Sequence, residues 1–183
     1  DRPVVIKFLK SEYPTFKELV QFRNQYAITK DLDLPGIVRP IALEAFRNSY
    51  ALVMEDKGYV SLDQWMRNRT EEATASGPKN AVKDYLQPLT IQQVLEIGIQ
   101  LAEILDGLVQ NRIIHKDIKP ANILIHPNTH QIKLTDFSIA SLLLKEQQSI
   151  QNPNVLDGSL AYISPDLTWL INRVIDYRDD FYA

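Results

Sequence analysis

Residues 90–134 constrain this chain most. Thr90 opens a helical pattern, with Gln93 at capping-box spacing. Val94, Leu95, Leu101, Ala102, Leu105 and Leu108 predict an apolar face that continues to about Asn111. Three short apolar runs follow: Ile113-Ile114, Ile123-Leu124-Ile125 and Ile132-Lys133-Leu134. Turns separate them, among them the hairpin-like His126-Pro127-Asn128-Thr129. The second half of the chain is therefore mostly helical with short hairpins.

The first half has a different grammar. Val4-Val5-Ile6 followed by Lys7-Phe8-Leu9 reads as a buried, β-branched strand. Phe16, Leu19, Val20, Phe22, Tyr26 and Ala27 recur near helical spacing over residues 15–32, and Leu34-Pro35-Gly36 ends that helix. Residues 37–43 and 50–54 read as strands joined by a turn at Arg47-Asn48-Ser49. A short helix is predicted over residues 61–67, a polar loop over 68–83 and a long polar loop over 138–164. No internal repeat is visible. The fold class expected is α+β, in two parts that meet around residues 54–58.

Composition narrows the function classes. Hydrophobic residues make up 45% of the 183, enough for a real core. The formal net charge of −3 argues against a nucleic-acid-binding surface. The absence of cysteine excludes a disulfide scaffold, a thiol nucleophile and a cysteine zinc site. No apolar run reaches the roughly 18 residues of a membrane helix. Asp1-Arg2-Pro3 has no signal-peptide pattern, so the expected setting is cytoplasmic. Both ends fall inside patterned sequence, which reads as a fragment.

The chemistry-bearing residues cluster. His115-Lys116-Asp117-Ile118-Lys119-Pro120-Ala121-Asn122 is followed, nineteen residues after Asp117, by Asp136-Phe137-Ser138. Val4-Val5-Ile6-Lys7 precedes them and Ser164-Pro165-Asp166 follows. Four motifs in this order and spacing resemble the eukaryotic-type (Hanks-type) serine/threonine protein kinases. The resemblance covers essentially the whole chain. It implies a two-lobed fold truncated at both ends. Residues 1–57 would belong to the small lobe, from its third strand. Residues 58–183 would belong to the large lobe, up to the start of its central helix.

The resemblance also implies roles. Asp117 would orient the substrate hydroxyl and accept its proton, and Lys119 would stabilise the moving phosphoryl group. A lysine two residues after the aspartate resembles the serine/threonine class. Asn122 and Asp136 would hold Mg²⁺, a hard ion that prefers oxygen ligands. Lys7 would contact the α- and β-phosphates of ATP. Met54 would be the gatekeeper beside the adenine, with the backbone of Glu55 and Lys57 pairing with its edge. His115 would pack beneath the loop. Asp180 would hydrogen-bond the loop backbone, and Ser159 would meet the same loop.

Four positions depart from the family pattern. Counting back from Leu34-Pro35 puts Gln25 where a glutamate should pair with Lys7. An amide accepts a hydrogen bond but forms no ion pair. Glu18 lies seven residues earlier, about 10 Å along the helix at ~1.5 Å per residue, and would substitute only if the helix slid two turns. Ser138 replaces a glycine, whose backbone freedom serine lacks. Lys116 replaces an arginine and cannot grip a loop phosphate bidentately, although Ser141, Ser149 and Ser159 offer hydroxyls. Asp166 replaces a glutamate.

The function implied is transfer of the ATP γ-phosphoryl group to protein hydroxyls. The alternative is a pseudokinase, a regulatory nucleotide-binding module without phosphotransfer, and Gln25 is its main support. A small-molecule phosphotransferase shares the His-x-Asp and Asn spacing, but Lys119-Pro120 and Ser164-Pro165-Asp166 argue against it. Residues 152–158 and 178–182 resemble the kinase module of large bacterial multi-sensor signalling proteins. That likeness implies in-chain sensor and ATPase-like modules as partners.

Overall fold

A computed structural model describes residues 2–75, 89–143, 161, 162, 164 and 176–183. Its N-terminal part is an antiparallel sheet of β1 (Val4–Phe8), β2 (Pro40–Phe46) and β3 (Ser49–Glu55), in the order β1-β3-β2. Helix α1 (Phe16–Thr29) contacts β2 and β3. Thr15 caps it: the Glu18 backbone donates to the Thr15 hydroxyl, and the Thr15 backbone donates to Glu18 Oε2 at 2.7 Å. Glu18 is thereby committed to the helix end. The β2–β3 hairpin closes at Arg47-Asn48, where Arg47 takes a left-handed φ of 52°.

Two expectations fail in this part. Val4, Val5 and Ile6 form a strand, paired with β3 alone among the described residues, but are about half exposed. β-branching reports a fit to pleated backbone, whereas burial depends on what lies over the strand. The second strand starts at Pro40, not Ile37. Ile37 instead makes a parallel bridge to Leu134, reinforced by Val38 N–H to Leu134 O and Leu134 N–H to Gly36 O, both 2.8 Å.

The remaining elements are β4 (Val60–Ser61), α2 (Leu62–Ala75), α3 (Ile91–Gln110), β5 (Ile113–Ile114), β6 (Ile123–Ile125), β7 (Ile132–Leu134), β8 (Ser141–Leu142) and α4 (Arg178–Tyr182). Sheet β4-β6-β7 and ribbon β5-β8 are both antiparallel. Helix α2 outruns its expected end at Arg67 by eight residues. The extension is free of Gly and Pro, which first return at Gly77-Pro78. The rest of the polar stretch expected to 83 lies outside the described residues. So does most of the loop expected over 138–164, but its start is ordered: Ser141 pairs with Ile114 and Leu142 with Ile113.

Helix α3 begins at the predicted Thr90 cap. Its buried face is Ile97, Ile104, Leu105 and Leu108, while Val94, Leu95 and Ala102 are exposed, contrary to expectation. This helix is apolar on several sides, so periodicity alone does not choose the face. Contact with the Leu34–Ile37 turn chooses it. A Cβ at Gly36 would lie 2.1 Å from Ile104 Cγ1, and one at Gly107 would lie 2.4 Å from Leu34 Cδ1. Glycine at both places lets turn and helix touch.

The core joins Leu32, Ile37, Trp65, Ile104, Leu108, Ile125, Leu134 and Phe137. Each such side chain contributes about 1.5–3 kcal/mol when fully buried. It lies directly beneath the 115–122 loop. Among the described residues no helix is long and apolar enough to cross a membrane.

Candidate active site

The loop hangs from a histidine. His115 is fully buried, edge-on to the Phe137 ring with centroids 4.6 Å apart. Its Nε2 lies 3.0 Å from Thr135 O, and the Asp117 backbone N–H donates to its Nδ1 at 3.3 Å. These contacts require a neutral imidazole with its proton on Nε2. Burial supports that state by pushing the imidazole pKa below its ordinary value, against the pull of Asp180 and other carboxylates.

Asp180 clamps the same loop. Its two oxygens accept the backbone N–H groups of His115 at 2.6 Å and Lys116 at 2.7 Å. Burial raises its pKa, and these two hydrogen bonds oppose the rise. Lys116 itself takes a left-handed φ of 68°, so the clamp holds backbone of an uncommon shape.

Asp117, Lys119 and Asn122 come together above the histidine. Asp117 Oδ2 accepts Lys119 Nζ at 2.7 Å and Asn122 Nδ2 at 2.8 Å. The same amide donates to Asp117 O at 2.8 Å. The Thr135 N–H donates to Asn122 O at 3.0 Å, which ties this cluster to the residue just before Asp136.

Lys7 and Asp136 form the second cluster. Lys7 Nζ lies 3.0 Å from Asp136 Oδ1 and donates to Gln25 Oε1 at 2.9 Å. The counted register is therefore the spatial one, and Gln25, buried on α1, faces Lys7. Met54, Glu55, Lys57, Lys7 and Thr135 line a cavity of about 970 Å³ between the sheet and β6. The Glu55 and Lys57 side chains pair with each other at 3.0 Å.

The family described as "Protein kinase domain" matches residues 1–183. This chain belongs to that family. Among curated relatives it is similar to the serine/threonine-protein kinase PrkC of Bacillus subtilis, 34% identical over 91% of this chain and 23% of the relative. It is also similar to the probable serine/threonine-protein kinase PknB of Lactococcus lactis, at 28% over 100% of this chain and 26% of the relative. A third is the serine/threonine-protein kinase PknA of Mycobacterium tuberculosis, at 28% over 90% and 35%. The chain spans about a quarter to a third of the length of these relatives.

In this kinase domain the donor set suits magnesium. Asp136 Oδ1 is buried and receives no well-directed hydrogen bond; the Lys7 ammonium meets it as an ion pair only. Asn122 spends its Nδ2 on Asp117, which leaves its Oδ1 as the oxygen that could face a cation. Among the described residues no three His, Cys, Asp or Glu side chains gather as a metal site. Two oxygen donors of this kind fit an ion that takes few protein ligands and completes its shell with phosphate and water.

The departures resolve unevenly in this kinase domain. The left-handed φ falls on Asp136, at 65°, and not on Ser138, so serine there is unstrained. The Ser141 hydroxyl is buried in β8, so it is not an accessible phosphate acceptor. Ser149, Ser159 and Asp166 lie outside the described residues. Sequence reasoning missed Asn24, whose Nδ2 reaches the carbonyls of Phe137, Ser138 and Ala140 at 3.3, 3.1 and 2.7 Å. No local pattern signals a contact across more than a hundred residues. The Thr15–Glu18 cap was missed as well, although its spacing matches a capping box.

Proposed function

We propose that this kinase domain, within its full-length protein, transfers the γ-phosphoryl group of ATP to serine or threonine hydroxyls of a protein substrate. The observation that supports this best is the pair of clusters linked through Asn122 and Thr135. One carries the groups for the acceptor hydroxyl, the other those for the phosphates.

Adenine occupies the cavity beside Met54, with the backbone of Glu55 and Lys57 at its edge. Lys7 binds the α- and β-phosphates. Asn122 and Asp136 would hold Mg²⁺, which when bound neutralises charge on the phosphate oxygens. Asp117 orients the acceptor hydroxyl and takes its proton as the new O–P bond forms and the bond from the γ-phosphorus to the β,γ-bridging oxygen breaks, releasing ADP. Lys119, already 2.7 Å from Asp117, places a positive charge where the transferring group passes. Residues 1–57 and 58–183 act as the two lobes that flank the cleft. The reaction runs in the cytoplasm, where ATP is supplied, and sensor and ATPase-like modules of the same chain control it.

The test is phosphate transfer from labelled ATP to a protein acceptor by the full-length protein. Asp117→Asn is expected to lower the rate by about 10²–10⁴-fold, the usual contribution of a positioned general base. Equal background in both proteins would favour the pseudokinase.

A further inference from the structure

Helix α1 touches the site twice, through neighbouring amides. Gln25 accepts from the Lys7 ammonium, and Asn24 donates into the segment after Asp136. Asn24 has two N–H groups for three carbonyl oxygens, and the shortest contact, to Ala140 O, is 2.7 Å.

That segment needs holding. Asp136 carries a φ of 65°, a backbone state that is unfavourable for a non-glycine residue and persists only where its surroundings enforce it. Phe137, immediately after it, is pinned in the core from one side. Ala140 N–H bonds back to Phe137 O at 3.3 Å, closing a turn, and Asn24 Nδ2 reaches the carbonyls of Phe137, Ser138 and Ala140 in that turn.

We propose that Asn24 is a positioning residue: it ties α1 to the Phe137–Ala140 turn and thereby holds the Asp136 carboxylate where a divalent cation can use it. The inference rests on the kinase reading. The tether is uncharged at both ends, so α1 is coupled to the cation site by a bond that ionic strength does not screen. With Gln25 beside it, one turn of helix sets both Lys7 and Asp136.

The test uses the full-length protein and two readouts. Asn24→Asp keeps size and removes the donors. Hydrogen exchange without nucleotide is expected to quicken at the amides of Ala140 and Leu143. The Mg²⁺ concentration for half-maximal phosphotransfer is expected to rise about tenfold or more, as for residues that orient metal ligands, with kcat at saturating Mg²⁺ changed far less. Asn24→Gln, which keeps the amide, should return part of the way. Unchanged exchange and Mg²⁺ dependence in Asn24→Asp would overturn the proposal. So would a Gln variant as damaged as the Asp variant, which also decides the case if Asn24→Asp fails to fold. A wild-type protein with no phosphotransfer would instead refute the kinase reading, and exchange at Ala140 would still decide the tether.

Discussion

Lys7 is held on its helix side by an amide: its Nζ donates to Oε1 of buried Gln25 across 2.9 Å. The ammonium therefore finds its carboxylate in Asp136, at 3.0 Å, the same group proposed to hold the cation. On that proposal, nucleotide and cation would draw the two apart. A second carboxylate on α1 would take over the lysine and release Asp136.

Gln25→Glu is accordingly expected to raise kcat/KM for ATP. The exchange turns a charge-assisted hydrogen bond into an ion pair, and up to about 1 kcal/mol of added attraction is up to about fivefold in rate. Steady-state kinetics of the full-length protein provide the check; an unchanged or lower value would contradict the assignment of Gln25 as the weak point.

Asp180→Asn is expected to loosen the 115–122 loop. An amide offers one acceptor oxygen where the carboxylate offers two, so either His115 or Lys116 N–H meets an NH₂ group. Leaving one buried donor unsatisfied costs about 1–3 kcal/mol. Denaturant titration would show the loss, and retention of wild-type stability would show that the clamp is dispensable.

His115 gives stability a pH dependence. Its folded pKa is depressed below 6.5 by burial, so on acidification the unfolded chain takes up a proton before the folded chain does. Stability is then expected to fall as pH drops from 6.5 toward the folded pKa. Asp180 acts in the opposite sense: burial raises its pKa above 3.8, so its protonation in the folded chain relieves a cost at lower pH. Melting temperatures between pH 7.5 and 5.5 would reveal the slope, and His115→Gln should flatten it.

Gly36→Ala and Gly107→Ala each place a methyl inside a neighbouring side chain, Ile104 and Leu34 respectively. Overpacking of this kind costs about 1–3 kcal/mol. Both variants should melt lower than wild type, and a pairing with Ile104→Ala or Leu34→Ala, which removes the atoms the new methyl meets, should recover part of the loss. Full stability in the single variants would mean that turn and helix can separate freely.

Chemistry encoded at short range was legible in the chain. Asp117, Lys119 and Asn122 stand two and five residues apart on one loop, so the backbone alone brings them within hydrogen-bonding reach. The Thr90 cap and the hairpin after Ile125 are equally local. Lys7, Gln25 and Asp136 were aligned only through resemblance to a family, because nothing in their spacing requires them to meet. The buried face of α3, the exposure of β1 and the tether from Asn24 to Ala140 were decided by tertiary packing. A helix apolar on several sides buries the side that another element reaches, and at α3 the glycines at 36 and 107 let that element approach. Sequence alone determined which groups are available and which are locally joined. Only the fold decided which distant groups share one cleft, because contact across the chain depends on the packing of whole elements and not on the spacing within any one of them.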